Sequence, residues 1–449
     1  MNKNNVMIRQ YIRNTFDNVT NIKRPVKKYI SILLLAALLV VSPINKQAVA
    51  GDEVPKIISQ SAVLMDAKTG QVLYGKNIHM KLYPASITKI LTILLGIENG
   101  RLQDKVTMSQ EAVSSILQGS SHIALDIGEK ISLEQALMAA MLPSANDASN
   151  GIAEHISGSI SDFALLMNQR AREAGALNSN FVNPHGLHND KHVSTAYDMA
   201  MITRTALQND KFREIFGTVR YTIPPTNKQS ESRDLWATHR MLTTNKFAYK
   251  GVIGGKTGYT KEAQNTLVTV ARRGERELIA VVMKSQNTGV YTDTIALFDY
   301  GFNQFNEVKI LPSASDNSIK GQEDTKMIQN ILDQNKNMQV TRLLHKSISR
   351  EDIVVDYQIV DDGLSMQPEL QINMHLRTGD NLMYPDLGSV YLTNSSTGQW
   401  GWINTVLKIF KVLASLIVTI IVLLFILRWY FKMRRKKRCK QIIYYREYR

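Results

Sequence analysis

Three short segments constrain what this 449-residue chain can fold into, because their side chains perform chemistry only if they meet. They are Ser86-Ile87-Thr88-Lys89, Ser144-Ala145-Asn146 and Lys256-Thr257-Gly258, in that order and 58 and 112 residues apart. Each alone recurs by chance; together they ask for one cleft. Ser86 and Lys89 are three apart, so on a helix they share a face. A serine nucleophile needs a base within reach, and a lysine serves only when partly neutral. Desolvation and a nearby cation such as Lys256 push its pKa that way. A helix N-terminus at Ser86 also favours developing negative charge.

Ser144 and Asn146 follow a helix break at Pro143. Such a hydroxyl can pass a proton between Lys89 and a leaving amine, and the amide can hold Lys89 and donate to a substrate carbonyl. The same two residues also suit helix capping. Lys256 and Thr257, on an edge strand, suit a substrate that adds in β fashion and ends in a carboxylate. Gly258 lets that substrate lie close to the backbone.

The surrounding pattern supplies the elements. Ser61–Asp66 and Gln71–Tyr74 read as a β-hairpin around Ala67-Lys68-Thr69-Gly70. Ile87, Ile90, Leu91, Leu94 and Leu95 have helical spacing from Ser86 to about Glu98. The stretch from Ser109 to about Phe216 is mostly helical, its clearest helix running from Leu133 to Leu142. Strands return at Val252–Gly258, then Thr266–Ala271 and Glu277–Met283 around Arg273-Gly274-Glu275, and Thr292–Phe305 reads as a closing helix. The sheet thus comes from both ends of a domain, with a helical lobe inserted between. After Glu307, alternating runs such as Ile353–Ile359 and Leu370–Leu376 suggest a small β-domain without a catalytic constellation.

The net charge of +15 sits at the ends. Residues 1–50 carry eight Lys/Arg and one Asp, and residues 401–449 carry twelve Lys/Arg and one Glu; the remaining 350 residues hold 34 basic and 37 acidic side chains. Basic ends flanking apolar runs form a membrane-topology pattern, not a phosphate-binding groove, so nucleic acid is not an expected partner. Lys23, Arg24, Lys27 and Lys28 precede the apolar run Ile30–Val41, and Ala48-Val49-Ala50 supplies a small-x-small cleavage pattern, as in a secretory signal. Such a run rises about 18 Å, short of the roughly 30 Å hydrocarbon core. Ile403–Leu427 is long enough to span, with Trp400, Trp402, Trp429 and Tyr430 at its ends and the basic run Lys432–Arg438 beyond. The positive-inside rule puts that run in the cytoplasm. The single cysteine, Cys439, lies in the same tail, so the exported part has no disulfide.

Tyr83-Pro84-Ala85-Ser86-Ile87-Thr88-Lys89, Met141-Leu142-Pro143-Ser144-Ala145-Asn146-Asp147-Ala148 and Gly255-Lys256-Thr257-Gly258-Tyr259-Thr260 closely resemble the low-molecular-mass penicillin-binding proteins, the serine D-alanyl-D-alanine carboxypeptidases of bacterial cell-wall metabolism. The resemblance runs from about Ser61 to Phe305. It implies an α/β, penicillin-binding/serine β-lactamase-like fold: an antiparallel sheet with an inserted helical lobe, then a small all-β domain and a C-terminal transmembrane helix. The expected division is 1–50 signal peptide, 51–306 catalytic domain, 307–400 β-rich stalk, 403–428 transmembrane helix and 429–449 cytoplasmic tail.

The implied substrate is a peptidoglycan stem peptide ending in D-Ala-D-Ala, with β-lactams as covalent inhibitors and neither metal nor organic cofactor. The resemblance makes Ser86, Lys89, Ser144 and Asn146 catalytic, and Lys256, Thr257, Gly258 and Tyr259 substrate-binding. The amides of Ser86 and Tyr259 become the oxyanion hole, a contribution of roughly 3–4 kcal/mol. A D,D-transpeptidase with an amine acceptor is the nearest alternative; a serine β-lactamase and a non-enzymatic β-lactam receptor rank below it.

Three details test that resemblance. Ala263-Gln264-Asn265 stands where many relatives have Ala-Gly-aromatic. Glu173 precedes Asn178 by five residues, one more than the spacing of a class A lactamase water-activating Glu. His185, His188 and His192 cluster, but Pro184 and Gly186 break any helix that would converge them on a metal, and Asn183–Leu187 reads as a turn.

Overall fold

Ser61–Asp66 (β1) and Val72–Lys76 (β2) form the expected hairpin in a computed structural model that describes residues 54–310, 324–335, 340–360, 369–376 and 386–393. The Asp66 carboxylate closes the turn, accepting from Thr69 N at 2.8 Å and Thr69 Oγ1 at 2.6 Å. A 3₁₀ turn at Ala85–Thr88 leads into Lys89–Asn99 (α1). The expected helix from Ser86 therefore opens with a tighter turn, common at helix starts, so Lys89 is the first α-helical residue.

The lobe follows with Lys105–Thr107 (β3), Gln110–Ser114 (α2) and Lys130–Ser132 (β4), which pairs with β3. Its helices are Leu133–Met141 (α3), Asn146–Ser157 (α4), Ile160–Glu173 (α5), Ala196–Ala206 (α6) and Asp210–Gly217 (α7). Their starts are written in the chain. Ser132 and Gln135 make a reciprocal capping box on α3, while Ser159, Thr195 and Asn209 cap α5, α6 and α7.

Arg220–Ile223 (β5) and Arg233–Trp236 (β6) pair, and Arg240–Thr243 (α8) leads back to the main sheet. There Val252–Thr260 (β7), Gln264–Arg273 (β8) and Arg276–Ser285 (β9) complete an antiparallel order β2-β1-β9-β8-β7, and Gly289–Gln304 (α9) covers one face. The strands are buried on both faces. Val63, Met65, Val268, Val270, Ile279 and Val281 join the core of the helical lobe. Leu64 and Leu278 face α9, where Gly301 admits them: a Cβ there would lie 2.5 Å and 2.7 Å from their methyls. Burial of each large aliphatic contributes roughly 1.5–3 kcal/mol, so this shared core holds the cleft walls together.

Phe305–Ile310 (β10) starts where α9 ends and pairs with Val340–His345 (β11). The expected boundary after residue 306 thus falls inside a paired strand. Thr325–Gln334 (α10) packs Ile328, Ile331 and Leu332 on a three-stranded sheet of Ile353–Val360 (β12), Glu369–Leu376 (β13) and Asp386–Thr393 (β14). The Gln71 side chain ties this region to β2's turn: Nε2 donates to Leu343 O at 2.7 Å and Oε1 accepts from Leu343 N at 2.9 Å.

Among the described residues no helix is long and apolar enough to cross a membrane. The expected signal at 1–50, span at 403–428 and tail at 429–449 lie outside the described residues.

Candidate active site

The three motifs converge. Lys89 is fully buried, and its Nζ donates to Ser86 Oγ at 3.1 Å, Asn146 Oδ1 at 2.7 Å and the His185 carbonyl at 2.9 Å. Three acceptors match an ammonium's three protons. Burial, and secondarily the charge of Lys256, hold Lys89 well below the usual lysine value, and Asp147 opposes this. This lowering favours loss of the proton that faces Ser86, which would turn a lone pair toward its hydroxyl.

The His185 carbonyl is a ligand that side-chain motifs do not announce. The turn Asn183–Leu187 delivers it: Asn183 Oδ1 accepts from Gly186 N at 2.7 Å, and Thr92 Oγ1 on α1 donates to Pro184 O at 2.6 Å. Gly186, at φ +83°, lies against the nucleophile turn, and a Cβ there would fall 1.9 Å from Ala85 O. In the sequence, Pro184 and Gly186 announce the turn but not the carbonyl it presents.

Ser144 and Asn146 do not cap α4. The N-cap is Ala145, with no side-chain cap bond, and Ser144 has φ +68°. Ser144 Oγ is buried and makes no hydrogen bond among the described residues; strained, unpartnered polar groups gather at functional sites. Asp147 braces the cleft rim, accepting from Leu125 N at 3.1 Å and Ile123 N at 3.2 Å, beside the Asn146 N to Ser121 O bond of 2.8 Å.

Lys256, Thr257, Gly258 and Tyr259 lie on β7, the edge strand. Lys256 is buried with its pKa lowered to about 7 by desolvation. Thr257 Oγ1 sits 2.8 Å from Thr238 Oγ1, so two hydroxyls stand side by side, the second from a loop no motif marked. Behind them His239, neutral with its pKa lowered to about 3 by burial and then by Lys256, lies 2.9 Å from Thr269 Oγ1. Gly258 also serves the fold. Its missing side chain points inward, where a Cβ would lie 2.8 Å from Ser86 N, so the glycine lets the strand meet the nucleophile turn. Tyr259 is 66% exposed. Gln264 holds φ +55° at the start of β8, a left-handed conformation that glycine adopts without strain.

The remaining sequence candidates settle elsewhere. Glu173 accepts from Gln169 Nε2 and neighbours Arg170, which pairs with Glu98 near the end of α1. Nine residues of helix separate Glu98 from Lys89, about 14 Å. His192 accepts Val182 N on Nδ1, so its Nε2 proton goes to Thr88 Oγ1 at 2.9 Å. His185 Nδ1 accepts Leu187 N, and His188 stacks edgewise on Tyr83. Among the described residues no group of three His, Cys, Asp or Glu is arranged to hold a metal.

The model of a family described as D-alanyl-D-alanine carboxypeptidase matches residues 45–287, more than half of the chain. The chain belongs to that family. D-alanyl-D-alanine carboxypeptidase DacF of Bacillus subtilis is 37% identical over 259 residues, 55% of this chain and 63% of that protein. The chain spans a little under two thirds of the first such relatives, 63% and 66% of their lengths. A D-alanyl-D-alanine carboxypeptidase of Streptomyces is 30% identical, covering 61% of this chain and 97% of that one. Among solved structures, a Streptomyces DD-transpeptidase aligns with TM-score 0.53 and 30% identity over 56% of this chain and 99% of its own. Penicillin binding protein 6B from Escherichia coli aligns with TM-score 0.56 and 25% identity over 76% of this chain and 97% of its own, a match that reaches past the cleft domain into the β-rich region.

Proposed function

We propose that this chain is a serine D,D-carboxypeptidase that removes the terminal D-Ala from peptidoglycan stem peptides. The observation that carries the reading is the buried Lys89 amine within 3.1 Å of Ser86 Oγ, beside an open edge strand that bears Lys256 and Thr257. Ser86 Oγ attacks the carbonyl carbon of the penultimate D-Ala while Lys89 takes its proton. The Ser86 and Tyr259 amides receive the oxyanion. The C–N bond breaks, Ser144 relays the proton to the departing amine, and Asn146 keeps Lys89 aimed. Lys256 with the Thr257 and Thr238 hydroxyls takes the terminal carboxylate. Water then cleaves the ester and frees Ser86. β-Lactams acylate the same oxygen, and no cofactor enters.

The chain is further read as exported by residues 1–50 and held by a span at 403–428, with the cleft domain extracytoplasmic, the β-rich region a stalk and Cys439 inside. Membrane-impermeant thiol reagents on intact cells should leave Cys439 unlabelled; labelling from outside would reverse the topology.

The decisive assay incubates the chain with a pentapeptide ending in D-Ala-D-Ala, with and without an acceptor amine. Release of D-Ala with free tetrapeptide supports the carboxypeptidase. Tetrapeptide captured mainly by the amine favours the transpeptidase, the reading that the Streptomyces structural match keeps open. No D-Ala release in either arm removes both.

A further inference from the structure

We propose that Thr266 is a positioning residue for the oxyanion-binding amides, a role that rests on the acyl-transfer reading above. Thr266 lies on β8 directly opposite Gly258 and is 1% exposed. Its hydroxyl donates to the Pro84 carbonyl at 2.8 Å. No motif includes it, and it touches none of the reacting groups.

Ala85 is the strained residue beside this bond. This residue has φ +50°, a left-handed conformation that a side chain disfavours and that persists only when its surroundings impose it. Two peptide planes meet there. The first carries the Pro84 carbonyl, so its tilt sets φ of Ala85. The second carries the Ala85 carbonyl and the Ser86 N–H. Thr266 pins the first plane through its hydrogen bond, and Gly186 bounds the second by lying flush on the Ala85 carbonyl. The Ser86 N–H direction is thereby fixed from both sides.

Gly258 joins this brace to the strand. A Cβ on it would lie 2.4 Å from Thr266 Oγ1 and 2.8 Å from Ser86 N. The Thr266 hydroxyl and the Ser86 amide therefore lie against the same bare face of Gly258, the residue before Tyr259. Oxyanion donors act because they need no reorganisation when charge develops. Loss of the Thr266 hydroxyl leaves the Pro84 carbonyl with only the first bond of the 3₁₀ turn it caps, so that the plane is no longer tied to β8 and regains freedom to rock. Penicillin would still bind, but the Ser86 amide would meet the developing oxyanion less well.

The test compares full-length wild type, Thr266→Val and Thr266→Ser by intact-protein mass after penicillin mixing. It reads the limiting acylation rate, the half-saturating concentration and the final adduct stoichiometry. Thr266→Val keeps the branch and loses the hydroxyl; its limiting rate should fall about 10–100-fold, less than the loss of a whole donor. Half-saturation should move less than about threefold, and Thr266→Ser should recover wild-type rate within about threefold, because the hydrogen bond remains. A merely structural role would lower stoichiometry and leave the rate per active molecule unchanged, which overturns the proposal. So does a Thr266→Val chain that acylates at wild-type rate. If Thr266→Val does not fold, Thr266→Cys, a weaker donor, against Thr266→Ser reads the same bond: slower acylation in the thiol variant supports the role, and equal rates overturn it. A wild type that gains no adduct at Ser86 defeats the acyl-transfer reading itself, and does so before any Thr266 variant is compared.

Discussion

Asn146 Oδ1 accepts from Lys89 Nζ at 2.7 Å, tying the first residue of one buried helix to the first residue of another. A neutral acceptor here steers the lysine without fixing its charge. Asn146→Asp would put a carboxylate at the same distance, and an opposite charge so close raises a lysine pKa by roughly 1–3 units. The rising limb of the acylation rate against pH should shift to higher pH by that amount. An unmoved limb would mean that Lys89 is not the titrating base.

Lys89→Arg keeps a cation but cannot lose its proton near neutrality. Penicillin adduct formation should slow by about 10²–10⁴-fold, the usual weight of general-base assistance. Ser86→Ala should take no adduct at any pH. Intact mass reads both, and wild-type speed in Lys89→Arg would assign the base elsewhere.

Carboxylate recognition is testable by amidating the terminal D-Ala. The penalty should be large in wild type and small in Lys256→Ala, the difference amounting to about ten- to a hundredfold in kcat/KM for a charge-assisted bond. Equal penalties in the two enzymes would send the carboxylate to another site.

Gly186→Ala combines φ +83° with a Cβ placed 1.9 Å from a backbone oxygen. No rotamer relieves a backbone clash, so stability should drop by about 3 kcal/mol or more. A melting temperature equal to wild type would show that the turn can retreat from Ala85.

Stability should follow pH through buried bases. His192 and His239 are each held at about 3 by burial, aided by Lys89 and Lys256 respectively, against an ordinary 6.5. Between those values the unfolded chain binds more protons, so stability falls as pH drops from 6.5 toward 3. Lys256, at about 7 against 10.5, acts with the same sign in an alkaline window, and stability rises across it. Urea midpoints should fall from pH 7 to 4, and Lys256→Met should flatten the rise above pH 7. A wild-type midpoint flat across both windows would contradict the burial of these groups.

Much of this site could be read before any coordinates, because Ser86, Lys89, Asn146, Lys256 and Thr257 contribute through side chains whose types betray their chemistry. The β1–β2 hairpin and the helix from Leu133 were equally plain, being local. What escaped was carried by backbone or by distance. The His185 carbonyl has no residue signature. The inward face of Gly258 depends on which side of β7 meets the nucleophile turn. Thr238 and Thr257 pair across 19 residues, and Gln71 reaches Leu343 across 272. The left-handed backbone of Ala85, Ser144 and Gln264 is imposed by tertiary contacts against local preference. The boundary at 306 was drawn where short alternating runs without a catalytic constellation begin, and the pairing of β10 across it with β11 is a long-range contact that no local pattern announces.

The Gln71 amide behaves like one more strand residue, meeting Leu343 with a donor and an acceptor at once. Its removal would orphan two buried backbone groups far along the chain. Damage in the β-rich region therefore has a short route to the sheet that carries Lys256, and harm done to either part is shared. A lesion that never approaches Ser86 can thus present itself as a failing enzyme, and a screen for lost activity would collect it among the true cleft variants.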